Sequence, residues 1–88
     1  MRFDRLVFND KNGRYGIKFS DTNLWINDGL CDGEKLCVFD YTIDHWVKEQ
    51  IIAEPPGNTP ESWRLKVTDL RGKELRNTMA HLEEQENT

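Results

Sequence analysis

Cysteine is scarce: Cys31 and Cys37 are the chain's two. Five residues separate them, which is neither the CxxC spacing of a redox pair nor that of a zinc knuckle, and two cysteines cannot make a disulfide framework. In a reducing compartment they are expected as two free thiols, one or both packed as small hydrophobes. Proline is as sparse, and all three lie in Pro55-Pro56-Gly57-Asn58-Thr59-Pro60, so elsewhere nothing interrupts an extended backbone. No stretch approaches the roughly 18 consecutive apolar residues of a membrane helix. The first five residues carry Arg2, Asp4 and Arg5 instead of an apolar h-region. A soluble, cytoplasmic protein with no membrane partner is the expectation.

An excess of positive charge is missing too. The formal net charge is −4, from 12 basic and 16 acidic side chains. Three of the acids, Glu83, Glu84 and Glu86, sit at the very end, and the other 13 nearly balance the bases. That distribution disfavours both a broad basic nucleic-acid face and a carboxylate surface imitating phosphates. Motifs that carry chemistry are absent as well: there is no HExxH, no GxSxG and no glycine-rich phosphate loop. Asp28-Gly29 and Asp32-Gly33 do not fall into a calcium-loop spacing. His45, His81, Cys31 and Cys37 could number four zinc ligands, but they lack the paired spacing of structural sites. No catalytic residue, metal ligand or cofactor is therefore expected, and the chain does not read as an enzyme.

What is present is a succession of strand patterns. In 88 residues there is room for one domain, with somewhat more than about 60 % of the unfolded surface buried on folding. Leu6 and Phe8 share a parity, residues 9–13 form a strong turn signal, and Tyr15, Ile17 and Phe19 alternate with Arg14, Gly16 and Lys18. These predict a first hairpin. Gly16, in mid-strand, marks a bulge, a close backbone approach or simply a weakened strand. Residues 20–34 read as connection around a brief strand at residues 24–26.

Residues 35–54 are the longest stretch without Gly or Pro and are rich in β-branched and aromatic residues. They predict a second hairpin turning at residues 40–44. Leu36 and Val38 face one way and Cys37, Phe39 and Tyr41 the other, so the first arm should be central in its sheet. In the second arm Glu49 shares the parity of Val47, Ile51 and Ala53, and a bulge near residues 49–51 would resolve that conflict and bend the strand between two sheets. The proline cluster is an exposed hairpin tip. Beyond it, Trp63, Leu65 and Val67 point inward. For the end of the chain a strand at residues 73–76 followed by a loose tail competes with a helical stripe through Leu75, Met79 and Leu82; Asn77-Thr78 favours the former. The fold class expected is all-β, a small SH3-like barrel of five to six antiparallel strands over residues 1–77, with a polar acidic tail, open to helix formation, over residues 78–88.

Candidate site residues cluster at the second hairpin. Asp40, Asp44 and His45 lie together at its tip; carboxylates beside a histidine can do acid–base work, but tight turns also use Asp to bond nearby amides. Trp63 fits a core strand. Trp25 and Trp46 sit in a weak strand and after a turn, where an indole at a barrel rim anchors a partner. Partner-binding residues are thus expected to be Trp25, Asp40, Asp44, His45 and Trp46. With Arg14, Lys48 and Arg64 such aromatics could also stack single-stranded nucleic acid, and all three tryptophans could instead simply close the core.

Several short matches carry a resemblance: Gly13-Arg14-Tyr15 opening the second strand, the Asp32-Gly33-Glu34 turn, Trp46 opening an arm that ends in Ile52-Ala53-Glu54, Trp63-Arg64-Leu65, and Leu70 next to Arg71-Gly72. Together they resemble a small uncharacterised family of Gram-positive bacteria and their mobile elements, which implies an SH3-like barrel and no particular activity. The loop at residues 55–61 is longer than in that family, and the tail after Arg76 departs from it. The functional expectation is a non-enzymatic module that binds another protein, such as a phage or mobile-element factor modulating a host defence nuclease. A small nucleic-acid-binding barrel is the alternative.

Overall fold

The alternation in the first twenty residues produces an antiparallel hairpin. In the computed structural model, which describes residues 4–82, β1 (Arg5–Asn9) pairs with β2 (Arg14–Lys18), Leu6 opposite Ile17 and Phe8 opposite Tyr15. The turn is closed by its asparagines: Asn9 Oδ1 accepts the Lys11 N–H at 3.0 Å and Asn12 Oδ1 that of Arg14 at 3.0 Å. The short β3 (Trp25–Asn27) adds to β2, with a register slip between Ile17 and Lys18. Past that slip Phe19 lies 37 % exposed instead of following Tyr15 and Ile17 inward. Gly16 marks a close backbone approach. A Cβ there would lie 2.3 Å from the Asn27 carbonyl oxygen and 2.8 Å from the Trp25 ring.

The second hairpin is β4 (Lys35–Asp40) and β5 (His45–Ala53), paired from Asp40↔His45 to Lys35↔Gln50. Past residue 50 the ladder is irregular: Gly33 N–H donates to Ile51 O and Ile51 N–H to Glu34 O, so two residues ahead of β4 face one residue of β5, with Gly33 at a φ of 86°. The irregularity near residues 49–51 thus has its extra residue in the partner segment and not in β5, where Glu49 and Ile51 are both buried. Glu49 keeps its inward parity and is buried, 3 % exposed. Its carboxylate accepts the N–H groups of Val67 at 2.8 Å and Thr68 at 2.6 Å, so the turn after the next strand supplies what an inward carboxylate needs.

The last part of β5 pairs with β6 (Trp63–Leu65), entered through the proline-rich loop and a 3₁₀ turn, Pro60–Ser62. The strand stops at Leu65, because residues 66–68 turn to meet Glu49, and Val67 is consequently exposed rather than inward. Where a strand was expected at residues 73–76, Gly72–Leu75 forms a second 3₁₀ turn. The final strand comes later: β7 (Ala80–Leu82) lies against β4. Residues expected to open a loose tail are thus part of the sheet up to Leu82; Glu83, Glu84 and Glu86 lie outside the described residues.

Two antiparallel sheets result, one of three strands ordered β1-β2-β3 and one of four ordered β6-β5-β4-β7. The fold is all-β as expected, with β4 interior to its sheet. The sheets meet along β1 and residues 77–80, through Leu6 N–H to Thr78 O, Asn77 N–H to Leu6 O and Ala80 N–H to Asp4 O. Among the described residues their other edges, β3 and β6, do not pair with each other, so the sheets do not close into a barrel. Leu6, Tyr15, Ile17, Leu30, Leu36, Val38, Ile51, Trp63, Leu65, Leu75 and Ala80 form the core between them. Its two polar tips are satisfied: the Tyr15 hydroxyl donates to Gly72 O at 2.8 Å, and the Trp63 indole N–H to Gly13 O at 3.1 Å.

Candidate functional site

Because β4 is central and its even-numbered residues Leu36 and Val38 fill the core, its odd-numbered residues stand on the outer side of the four-stranded sheet. Register decides their company. Phe39 is opposite Trp46, and Cys37 is opposite Lys48 on one side and His81 on the other. Four rings consequently meet on this outer side. Phe39 stands edge-on to Tyr41 (centroids 5.0 Å, planes at 69°) and to Trp46 (5.5 Å, 80°), while His81 tilts against Trp46 at 4.7 Å. Edge-to-face pairs of this kind each add about 0.5–1.5 kcal/mol when buried, and less at a surface, so the rings hold one another in place without a covering layer.

Among the described residues no such layer covers them. Trp46 is 49 % exposed, and Tyr41 and Ile43 are more exposed still. Elsewhere on the same side stand Lys48 and Lys35, both exposed. The hairpin therefore presents an aromatic patch with a carboxylate-bearing tip at one end and lysines toward the other.

The tip itself is built by turn chemistry. Asp40 Oδ1 accepts the Thr42 N–H at 2.9 Å and the Thr42 hydroxyl at 2.6 Å, which hold the Asp40 carboxyl below the usual aspartate range. Asp44 takes a positive φ of 57°, a conformation that Asp and Asn adopt more readily than most residues. His45 is exposed and closes the ladder opposite Asp40. Asp40, Asp44, His45 and Trp46 are thus gathered at one tip, with Asp40 committed to the backbone.

Trp25 is not with them. It belongs to β3 of the other sheet, where the Lys18 ammonium lies 4.7 Å from its ring centroid and Gly16 leaves room for its edge. The three cations imagined around the aromatics are dispersed as well: Arg14 is on β2, Arg64 faces Glu54 at 3.7 Å, and only Lys48 stands on the aromatic side. Among the described residues no three His, Cys, Asp or Glu side chains gather in a way that could hold a metal ion, and no helix is long and apolar enough to cross a membrane.

Phe39, Tyr41 and His81 were not among the expected site residues. The parity of Cys37, Phe39 and Tyr41 carried the signal for two of them, since an interior strand need not be covered on both faces. His81 had no such signal, because its place depends on β7 pairing with a strand some forty residues earlier. Compared with known proteins, the chain matches no family model, and neither a curated protein nor a solved structure proves similar to it, so its aromatic face has to be understood from its own chemistry.

Proposed function

We propose that the protein is a non-enzymatic interaction module that docks another protein on the outer side of the β4–β5–β7 hairpin face. One observation carries this reading: Phe39, Tyr41 and Trp46 are locked edge to face, yet Trp46 is half exposed and Tyr41 more so. Rigid Trp and Tyr side chains that lose little entropy on burial are the usual anchors of protein interfaces. In its biological version the module is a cytoplasmic phage or mobile-element accessory factor that binds and modulates a host protein such as a defence nuclease. A reducing compartment suits its two cysteines, which form no disulfide with each other.

Nucleic acid is the weaker occupant. The rings of the patch cover one another's faces with their edges, leaving less flat surface for a base, and the tip brings carboxylates where phosphates would pass. The test uses wild-type and Trp46→Ala protein as baits in the native host, beside titrations with labelled single- and double-stranded oligonucleotides at low salt. Capture of a specific protein that disappears in Trp46→Ala is the expected result. Oligonucleotide binding that falls steeply with salt and is lost in the same variant would replace this reading with the nucleic-acid one.

A further inference from the structure

We infer that, when no other partner occupies it, the aromatic face pairs with a second copy of this chain as a weak two-fold dimer; this rests on reading that face as a docking surface. The order of residues along the hairpin is the ground for it. Asp44 precedes Trp46 by two residues and Lys48 follows it by two. Asp44 and Lys48 belong to neither of the ion pairs Arg64 with Glu54 and Arg71 with Asp69. A two-fold axis through Trp46 superposes the Asp44 end of one copy on the Lys48 end of the other, twice over. Aromatic meets aromatic at the centre, and each acid meets a lysine at the rim. An isologous contact demands such a self-complementary surface, and a face with one sign of charge throughout would repel its own copy.

The size of the face sets the strength. From residue 44 to residue 50 is about 20 Å along β5, and three strands with their side chains are about 15 Å wide. That is a few hundred Å² per copy, below the ~800 Å² per partner of a standard stable interface. The dimer should therefore dissociate in the micromolar range or above, which leaves the face available to a tighter partner.

Sedimentation equilibrium of the full chain between about 5 and 500 μM tests this, bracketing the expected dissociation constant. The wild type should rise from the 10.4 kDa monomer mass toward twice that value. Lys48→Glu should raise the dissociation constant at least about tenfold, because it places like charges together at both symmetric contacts. Asp44→Asn, which keeps a residue tolerant of positive φ, should also weaken the dimer, and in its background Lys48→Glu should cost markedly less. Wild-type protein that stays monomeric, or two substitutions whose effects are independent, overturns the proposal, as does a dimer that forms only with added oligonucleotide. The broader docking reading fails separately, if Trp46→Ala leaves both self-association and partner capture intact.

Discussion

Replacing Glu49 tests how the four-stranded sheet tolerates a carboxylate facing its core. In Glu49→Ala the N–H groups of Val67 and Thr68 lose acceptors at 2.8 and 2.6 Å. A hydrogen bond to a charged group contributes about 1.5–3 kcal/mol net. Val67 is exposed, so water can reach part of this turn and the lower figure applies to each bond. Two bonds then give a loss of about 3 kcal/mol. For a domain of this length, stable by about 4–13 kcal/mol, that is a large fraction. It corresponds to a fall in midpoint temperature of about 12–24 °C. Glu49→Gln keeps one acceptor oxygen but turns an amide N–H₂ toward the second donor, and should lose roughly half as much. Urea titration with an unchanged slope is the assay, since the slope shows whether the unfolded reference has moved. If Glu49→Ala costs less than about 1 kcal/mol, the turn at residues 66–68 does not depend on this carboxylate and the account of the strand fails.

Gly16→Ala should destabilise by about 3 kcal/mol or more or abolish folding, because its new methyl would meet the Asn27 backbone at 2.3 Å and the Trp25 ring; thermal melting measures it. Tyr15→Phe should cost about 1–1.5 kcal/mol through the lost bond to Gly72 O. Burial raises the Tyr15 hydroxyl above its ordinary value, outweighing Arg76, which lowers it. The associated stability is therefore fully present below about pH 10 and lost as pH climbs through the higher folded value, and the Phe variant should lack that alkaline fall in urea midpoint. Asp40 has the opposite sign: its carboxyl is lowered by Thr42, so the turn's stabilisation is present above about pH 4 and lost as pH falls through the lower folded value. The protection of the Thr42 amide, taken against its intrinsic exchange rate at each pH, should fall there in wild type and be already lost at neutral pH in Asp40→Ala.

The local pairings were legible because they obey period two within one hairpin. Leu6 with Ile17 and Val38 with Val47 need only their own strands and the turn between. What was hidden depended on distant partners. Leu30, wholly buried, sits in a stretch that reads as connection, and it is drawn in by its N–H bond to Tyr15 O. Glu49 looked like a break in pattern because the two amides that donate to it come eighteen and nineteen residues later. β7 was missed for the same reason: residues 78–88 read as a loose tail open to helix formation, and only the open edge of β4 draws Ala80 to Leu82 into a strand. The tip of the candidate site was readable from Asp40 to Trp46, whereas the ring cluster required the register to place Phe39 against Trp46 and His81 beside it.

The seam at residues 77–80 makes the order of synthesis matter. Its backbone bonds Asp4 and Leu6 of the opening hairpin and, through Met79 O, Phe39 of the second. Both hairpins can emerge and pair while the ribosome is still adding residues, yet neither β1 nor β4 has its outer neighbour until residues 77–82 are released. For that interval the nascent chain carries two open strand edges, which are templates for pairing with other chains. Residues 77–80, made after both hairpins, are the ones that turn two separate hairpins into one fold.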